Sequence, residues 1–413
     1  MSGRRQRRRR NRAPVPVAEP VTISGVAEGG RGIARVDGKA VFVAGALLGE
    51  RLSIAITRRH ERYDEAEVVD VIDASPDRQQ PPCDYFDQCG GCSLQHQRAP
   101  AQIRDKQTIL LEQLQRIGEV TPDDVAEPLS ASAWNYRSKA RLGVRYVHAK
   151  QRVLVGFREK KQRGVVDMSV CPVLDPRVSA ALQPLSETIA ALTVRERIPQ
   201  IEVATDADTV VFIVRHLDPL QMEDRTLLRE FADSSGIRLM LQPGGVDTIH
   251  PLPPDNADPL AYELAAHSVR VEFLPQQFTQ VNLVMNEKMV DQALRWLQPQ
   301  PDDRVADLFC GVGNFSLPLA RRCQHLVGIE GSSELVVQAS RNAQVNGISN
   351  TEFICGDLFE QPAGLPADFD RLLIDPPRSG AQQVCSSIER FGRRGKPPAQ
   401  LLYVSCNPAT LAR

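Results

Sequence analysis

The sequence lacks any run of about 18 consecutive apolar residues, which is the length that a membrane-spanning helix needs. It has no apolar segment behind its basic start, MSGRRQRRRRNR, which therefore lacks the form of a secretory signal. It also lacks a strong net charge, since 50 basic residues are balanced by 51 acidic ones. The hydrophobic fraction of 42% over 413 residues is enough for several folded domains. We expect a cytoplasmic monomer with no membrane partner.

Basic residues are nevertheless concentrated in two blocks. Residues 1–12 contain seven arginines and no acid, and residues 134–163 contain ten Lys or Arg with Glu159 as the one acid. Clustered basic side chains indicate phosphate-binding surfaces, which favours RNA as a partner, although a solvated tail and hairpin face would look the same. Aromatic residues within the second block fit either base stacking or the core of a strand pair: Trp134, Tyr136, Tyr146 and Phe157.

The nine cysteines form two groups. One group has three members close together and a distant fourth: Cys83, Cys89, Cys92 and Cys171. Because a reducing cytosol disfavours disulfides, this group predicts a metal site, and its spacing leaves zinc and an iron–sulfur cluster both open. The other five are scattered through the last third of the chain. We expect most of these to be small buried residues: Cys310, Cys323, Cys355 and Cys385.

The pattern of apolar residues divides the chain into five segments. We predict a disordered basic tail (residues 1–13), a small β-barrel (14–73) and a cysteine segment (74–98). A mixed α+β domain (99–274), whose topology cannot be derived from the sequence, and an α/β domain (275–413) follow. In the last segment strand-like runs alternate with helical ones. This alternation is typical of a parallel, doubly wound, Rossmann-like sheet.

A glycine turn follows the first strand of the predicted α/β domain. Gly311 and Gly313 lie between that strand and a helix, where they allow a ligand to approach the backbone. Glu330 ends the next strand, 23 residues after Asp307, where an acid binds ribose hydroxyls. Asp357 ends the third strand and can reach an adenine edge. The third glycine of the dinucleotide fingerprint is missing, so the pattern predicts S-adenosylmethionine rather than a nicotinamide cofactor.

A carboxylate and a thiol follow the last two predicted strands. Asp375 belongs to IDPPR and Cys406 to VSCNP, and both strand ends meet at one crevice. Uracil C5 is a poor nucleophile until a thiolate adds to C6, so a cysteine beside a methyl donor favours uracil C5 methylation by covalent catalysis. Asp375 can accept from uracil N3–H while Gln280 holds the base. The alternative is that Cys406 is only a small buried residue.

Two other functions fit parts of this pattern. Adenine amino-methyltransferases use Asp/Asn-Pro-Pro followed by an aromatic ring, whereas Arg378 follows the two prolines here. A non-catalytic RNA-binding remnant of an enzyme would bind RNA without turnover. Both remain alternatives to uracil methylation.

The strings LLYVSCNPATLAR, IDPPRSG, ADLFCGVGNFSLPLA and FTQVN closely resemble the 23S ribosomal RNA (uracil-5-)-methyltransferases of the RlmD type, over nearly the whole chain. The resemblance implies that residues 16–73 are an RNA-binding TRAM domain and that 23S ribosomal RNA is the partner. It implies that Cys406 is the nucleophile and that the upstream cysteines hold a four-iron, four-sulfur cluster. It also implies a set of cofactor-binding and base-binding residues: Gln280, Phe309, Asn314, Glu330, Asp357 and Asp375.

One feature of that family has no counterpart before Arg413. The family carries a catalytic glutamate and further strands after the SCNPATLA motif. The resemblance therefore implies that the general base is absent from this sequence and that its turnover is reduced.

Overall fold

A computed structural model describes residues 13–160, 164–360, 366–392 and 397–413. The predicted basic tail, apart from Ala13, lies outside these ranges, as do Lys161 and Arg163 of the second basic block. Over the described ranges, no helix is both long and apolar enough to cross a bilayer. The chain divides into two compact units, residues 1–123 and 124–413.

The first unit contains a seven-stranded sheet, which confirms the short strands predicted from the alternating sequence. Its strands are β1 (Val15–Pro16), β2 (Val21–Thr22), β3 (Gly25–Ala27), β4 (Arg31–Val36), β5 (Lys39–Ala44), β6 (Arg51–Arg59) and β7 (Tyr63–Asp73). The order is β1-β6-β7-β5-β4-β3, with β2 paired to β6. Asp37 and Gly38 join β4 to β5 with positive φ angles of 50° and 78°, as a two-residue hairpin turn requires.

Helix α1 (Ala99–Ile117) belongs to the first unit, whereas the sequence assigned it to the middle domain. The reason is its contacts with the cysteine segment. Gln102 Nε2 donates to the Leu94 and Gln97 carbonyls at 2.9 Å each, and Arg104 pairs with Asp77 at 2.6 Å. Apolar periodicity identifies a helix but does not show which neighbouring domain it packs on.

The second unit begins with a six-stranded mixed sheet of order β13-β12-β11-β10-β8-β9. Its elements are β8 (Lys139–Val147), β9 (Arg152–Gly156), α2 (Pro176–Ala191), β10 (Gln200–Thr205), β11 (Val210–Arg215), α3 (Met222–Ser235), β12 (Arg238–Gln242) and β13 (His250–Pro251). The central strand β11, with the sequence VVFIVR, is buried on both faces up to its last residue. Such continuous apolar strands carry no alternation, which is why the topology of this region could not be predicted from the sequence.

A hairpin and a parallel sheet complete the second unit. The elements are β14 (Leu260–Leu264), β15 (Val269–Phe273), α4 (Leu283–Leu297), β16 (Arg304–Leu308), α5 (Ser316–Ala320), β17 (His325–Glu330), α6 (Ser333–Val345), β18 (Thr351–Cys355), β19 (Arg371–Ile374), α7 (Gln382–Ser386), β20 (Gln400–Tyr403) and α8 (Pro408–Leu411). The last five strands are all parallel in the order β18-β17-β16-β19-β20, which confirms the predicted sheet. The strand order reverses between β16 and β19, and ligands of such sheets bind at that switch point.

The hairpin β14–β15 packs against helix α6 and shares an apolar core with both the middle and the parallel sheet. The buried amide of Asn342 in α6 accepts from the Glu272 N–H at 3.0 Å and donates to the Glu272 carbonyl at 2.9 Å. A single apolar core includes Val211 of the middle sheet, Val271 of the hairpin and Leu373 of β19. The core is therefore continuous across the predicted boundary at residue 274.

Candidate active site

A cavity of about 980 Å³ opens at the carboxyl ends of the parallel strands, where the topology predicts a ligand. Most of the residues singled out from the sequence line it together: Gln280, Phe309, Gly311, Asn314, Glu330, Asp357, Asp375 and Cys406. Gly313 belongs to the same turn, but it does not line the cavity. The sequence motifs are thus brought to one place by the fold.

The turn after β16 adopts a backbone that its sequence permits. Gly311 and Gly313 have φ angles of 56° and 95°, and Phe309 has the positive value of 66°. A Cβ on Gly313 would lie 3.2 Å from Leu317, so a larger residue would be both strained and crowded. Residues 311–315 form turns, and the helix that follows, α5, covers only Ser316–Ala320.

Glu330 ends β17 and ties two loops at the cavity. Its Oε2 accepts from the Gly311 N–H and its Oε1 from the Ser332 N–H, at 3.1 Å each. A carboxylate has about four lone-pair positions, so each oxygen retains one for a ligand hydroxyl. Asp357 is different, because its Oδ1 already accepts from the Phe359 and Glu360 N–H groups at 2.8 and 3.0 Å.

Asn314 is held by residues that sequence reasoning missed. Its Oδ1 accepts from the Tyr262 hydroxyl and from Asn286 Nδ2, at 2.8 Å each, and its Nδ2 donates to Asn286 Oδ1 at 2.9 Å. One N–H of the Asn314 amide remains for a ligand. No sequence signal pointed to Tyr262 or Asn286, because they lie on β14 and α4, outside the strand-end motifs.

Burial raises the pKa values of two carboxyl groups at the switch point. Burial raises the pKa of Asp375, which lines the cavity, to about 6. Asp307, at the end of β16, is fully buried, and the Ser316 hydroxyl donates to its Oδ2. Burial raises the pKa of Asp307 to about 7, and the negative charges of Asp375 and Glu330 contribute in the same direction.

Cys406 lies in the loop after β20, is exposed and lines the cavity. The loop is anchored on both sides of it, since the Val404 N–H donates to the Ile374 carbonyl at 2.8 Å and Asn407 caps α8. The Thr410 hydroxyl donates to the Arg378 carbonyl at 3.1 Å, which joins this loop to the one that carries Asp375. The alternative of a buried Cys406 is therefore wrong.

The expectation for the other four cysteines is correct for two of them. Cys310 and Cys323 are buried, and burial raises the pKa of the Cys310 thiol well above its usual range. Cys355 and Cys385 are exposed, and Cys355 also lines the cavity. The prediction failed for Cys355 because it ends β18, the edge strand of the parallel sheet, and strand order is not visible in a local sequence pattern.

Two exposed aromatic residues at the cavity were not singled out. Phe278 is 73% exposed beside Gln280, and Phe359 is 39% exposed with its ring centroid 5.4 Å from that of Phe309. Phe278 is part of the FTQVN string, so the signal was present in that motif. Exposed aromatic rings at a cavity rim are suited to stacking on flat bases.

The second basic block is partly neutralised by acids from elsewhere in the chain. Arg141 pairs with Glu202 of β10 at 2.8 Å, and Asp167 pairs with both Lys150 and Arg152 at 3.1 Å. Exposed Arg145 has no ion pair within the described ranges. Among the aromatic residues of the block, Phe157 is buried and therefore belongs to a core. A count of charges within residues 134–163 missed these partners because they come from other segments.

The upstream cysteines are divided between the two units of the chain. Cys83, Cys89 and Cys92 belong to the first unit and Cys171 to the second. Over the described ranges, no group of three or more His, Cys, Asp or Glu side chains is arranged to hold a metal ion. The Gly91 N–H donates to Cys89 Sγ at 3.4 Å. The metal site stays a prediction.

Comparison with known proteins gives matches over most of the chain. Residues 100–358 match the tRNA (Uracil-5-)-methyltransferase family and residues 19–69 match the TRAM domain. The chain is 47% identical to the 23S rRNA (uracil(1939)-C(5))-methyltransferase RlmD of Thiobacillus denitrificans, over 93% of this chain and 89% of that one. It is 45% identical to the protein of the same name from Alkalilimnicola ehrlichii, over 99% and 91%.

A solved structure shares the fold. The Pyrococcus abyssi tRNA (uracil-54, C5)-methyltransferase, crystallised with S-adenosyl-L-homocysteine, superposes with a TM-score of 0.70. The match covers 95% of this chain and 92% of the other, at 20% sequence identity.

Proposed function

Because this chain belongs to the RNA (uracil-5-)-methyltransferase family, we propose that it methylates C5 of a uridine in 23S ribosomal RNA with S-adenosylmethionine. The observation that carries the proposal is the convergence of Cys406 and Asp375 on one cavity with the acids at the ends of β17 and β18. A thiol, a partly buried carboxyl and a methyl-donor pocket together suit methylation at an unactivated pyrimidine carbon.

In this reaction S-adenosylmethionine supplies the methyl group from its sulfonium. The Cys406 thiolate adds to uracil C6, and the electron pair of the C5–C6 double bond moves to make C5 nucleophilic. C5 takes the methyl group and S-adenosylhomocysteine leaves. Loss of the C5 proton to a base then allows the bond from C6 to Cys406 to break, which restores the thiolate and the aromatic base.

The remaining cavity residues bind and orient the two substrates. Glu330 accepts from the ribose hydroxyls with the lone pairs that the Gly311 and Ser332 N–H groups leave open. Asp357 and Phe309 contact the adenosine, and the spare N–H of Asn314 contacts the methionine portion. Asp375 accepts from uracil N3–H as a carboxylate, while the Gln280 amide holds the rest of the base edge.

The test is covalent trapping with RNA that carries 5-fluorouridine at the target. Fluorine at C5 cannot leave as a proton does, so the methylated adduct persists through a denaturing gel. Wild-type protein with S-adenosylmethionine should give a slower-migrating species, and Cys406→Ala should give none. Cys310→Ala is the control, because it removes a buried thiol of the same sheet. A species that forms equally well with Cys406→Ala would disprove the assignment.

We also propose that Cys83, Cys89, Cys92 and Cys171 hold a four-iron, four-sulfur cluster. Support comes from the resemblance and from the donor set, since four thiolates suit such a cluster. The described side chains form no ligand set, so no catalytic step is assigned to this group. Anaerobically purified protein should be brown with about four Fe per chain. Colourless protein with one zinc would refute the proposal, and Cys89→Ser should lower solubility because metal binding is coupled to folding.

A further inference from the structure

The loop that presents the base-binding residues has no secondary structure of its own. Residues 274–282 connect β15 to α4, and Phe278, Thr279 and Gln280 from this loop line the cavity. A loop of this length gains its order from contacts with the rest of the fold.

Three consecutive residues, the two that precede β8 and the first residue of that strand, contact the loop at three successive points. Arg137 pairs with Asn282 through a backbone bridge. The Ser138 N–H donates to the Val281 carbonyl at 2.9 Å, and the Ser138 hydroxyl donates to the same oxygen at 3.1 Å. The Lys139 ammonium donates to the Gln277 carbonyl. These contacts flank Phe278 and Gln280 on both sides, and none of the three residues lines the cavity.

The contacting segment is itself rigidly held. The Arg137 N–H donates to the Val173 carbonyl and the Thr205 N–H donates to the Ser138 carbonyl, at 2.9 Å each. Ser138 is buried, and Lys139 pairs in register with Ala204 of β10. The segment 137–139 is therefore a fixed part of the middle sheet against which the loop is placed.

The lysine contact lies in a largely dry environment. The Lys139 ammonium is 5.6 Å from the centroid of the Phe273 ring, and Gln277 is buried. Burial lowers the pKa of Lys139 to about 8, which leaves it mostly protonated at neutral pH. A charged donor to a buried carbonyl contributes more than a neutral one, so its loss should release that end of the loop.

We propose that Ser138 and Lys139 are positioning residues, which hold residues 277–282 so that Gln280 and Phe278 meet the target base. This inference rests on the proposed function, because the rate it affects is that of uracil methylation. It gives residues of the middle sheet a positioning role in methylation.

The experiment compares Lys139→Met, which keeps the apolar stem without the donor, with Lys139→Arg, which keeps a charged donor. Lys288→Met is the matched control, since the Lys288 ammonium also donates to a backbone carbonyl, but to that of Ser130 at 2.6 Å and not to one of the loop. Single-turnover methylation of an unmodified 23S ribosomal RNA transcript should slow roughly 10- to 100-fold in Lys139→Met, because small misplacements of reacting groups have effects of that size. Affinity for S-adenosylmethionine should be unchanged, and Lys139→Arg should recover most of the rate.

A double-mutant cycle separates positioning from general stability. If Lys139 acts through the loop, adding Lys139→Met to a variant that carries both Phe278→Ala and Gln280→Ala should slow methylation little further. The proposal would be overturned if the rate reductions of the separate variants multiplied in the combined variant. A Lys139→Met rate equal to that of wild type would also overturn it. Ser138→Ala provides an independent variant should Lys139→Met fail to fold.

Hydrogen exchange of the loop gives a result that does not depend on methylation. Peptides covering residues 275–283 should exchange faster in Lys139→Met than in wild type or Lys288→Met. Unchanged exchange would overturn the positioning role even if the protein methylates RNA. A different result is possible, in which exchange is faster in Lys139→Met but the wild-type protein methylates no RNA. That result would support the contact between Lys139 and the loop and would refute the proposed function.

Discussion

The buried carboxyl of Asp307 should make the stability of the second unit depend on pH. The unfolded chain ionises this group with a pKa of 3.8, whereas burial raises the pKa to about 7 in the folded protein. The folded state therefore holds the proton more tightly, and stability is greatest below pH 3.8 and is lost as pH rises to about 7. At about 1.4 kcal/mol for each pH unit between the two pKa values, the total loss is roughly 4 kcal/mol.

The perturbation is Asp307→Asn, which removes the titration and keeps an acceptor for the Ser316 hydroxyl. Between about pH 5 and pH 8, the free energy of unfolding of wild type should fall by roughly 2–3 kcal/mol relative to that of the variant. For a unit of this size 1 kcal/mol moves Tm by about 2–4 °C, so the gap between the two proteins should change by roughly 5–10 °C. The quantity to compare is the change with pH of the Tm difference between the two proteins, because burying the new amide N–H has a free-energy cost of its own.

Differential scanning calorimetry of the full chain across this pH range measures the effect. Asp302→Asn is the control, since it removes an exposed carboxylate of the same unit. Parallel Tm curves for wild type and Asp307→Asn would refute the reasoning. They would show that Asp307 titrates alike in the folded and unfolded chain.

Three further predictions concern the cavity and the RNA surface. Glu330→Gln should weaken S-adenosylmethionine binding at least tenfold in equilibrium dialysis, because hydrogen bonds to a charged group contribute about 1.5–3 kcal/mol. Glu334→Gln, which changes an exposed carboxylate, should leave the binding unchanged. Because burial raises the pKa of Asp375 to about 6, the rate of single-turnover methylation should decrease at pH values below 6, where the acceptor for uracil N3–H is lost. Asp375→Asn should be slow at every pH. A wild-type rate that stays constant down to about pH 5 would contradict this. Arg145→Ala should weaken RNA binding and reduce its salt dependence by about one phosphate contact, whereas Arg141→Ala should have less effect because Glu202 already pairs with it; equal effects in filter binding would contradict this.

The parts of the protein that could be read from sequence are those fixed by local rules. The alternation of strands and helices after residue 280 predicted the parallel sheet, because side-chain periodicity is set by the geometry of each element. The acids and the cysteine at successive strand ends predicted one site, because parallel strands present their carboxyl ends at the same edge. Glu330, Asp375 and Cys406 were found in this way.

What the tertiary structure decided depends on contacts between distant segments. It placed α1 with the first unit, exposed Cys355 on an edge strand, and supplied Tyr262 and Asn286 as partners of Asn314. It also set the pKa of Asp307, since burial is a property of the assembled core and not of the residue. The sequence by itself determined which chemical groups follow which strands. Only the packing around them of β14, α4 and the residues beside β8 decided how those groups are held. That packing joins residues from 28 to 143 positions apart, which no local sequence pattern shows.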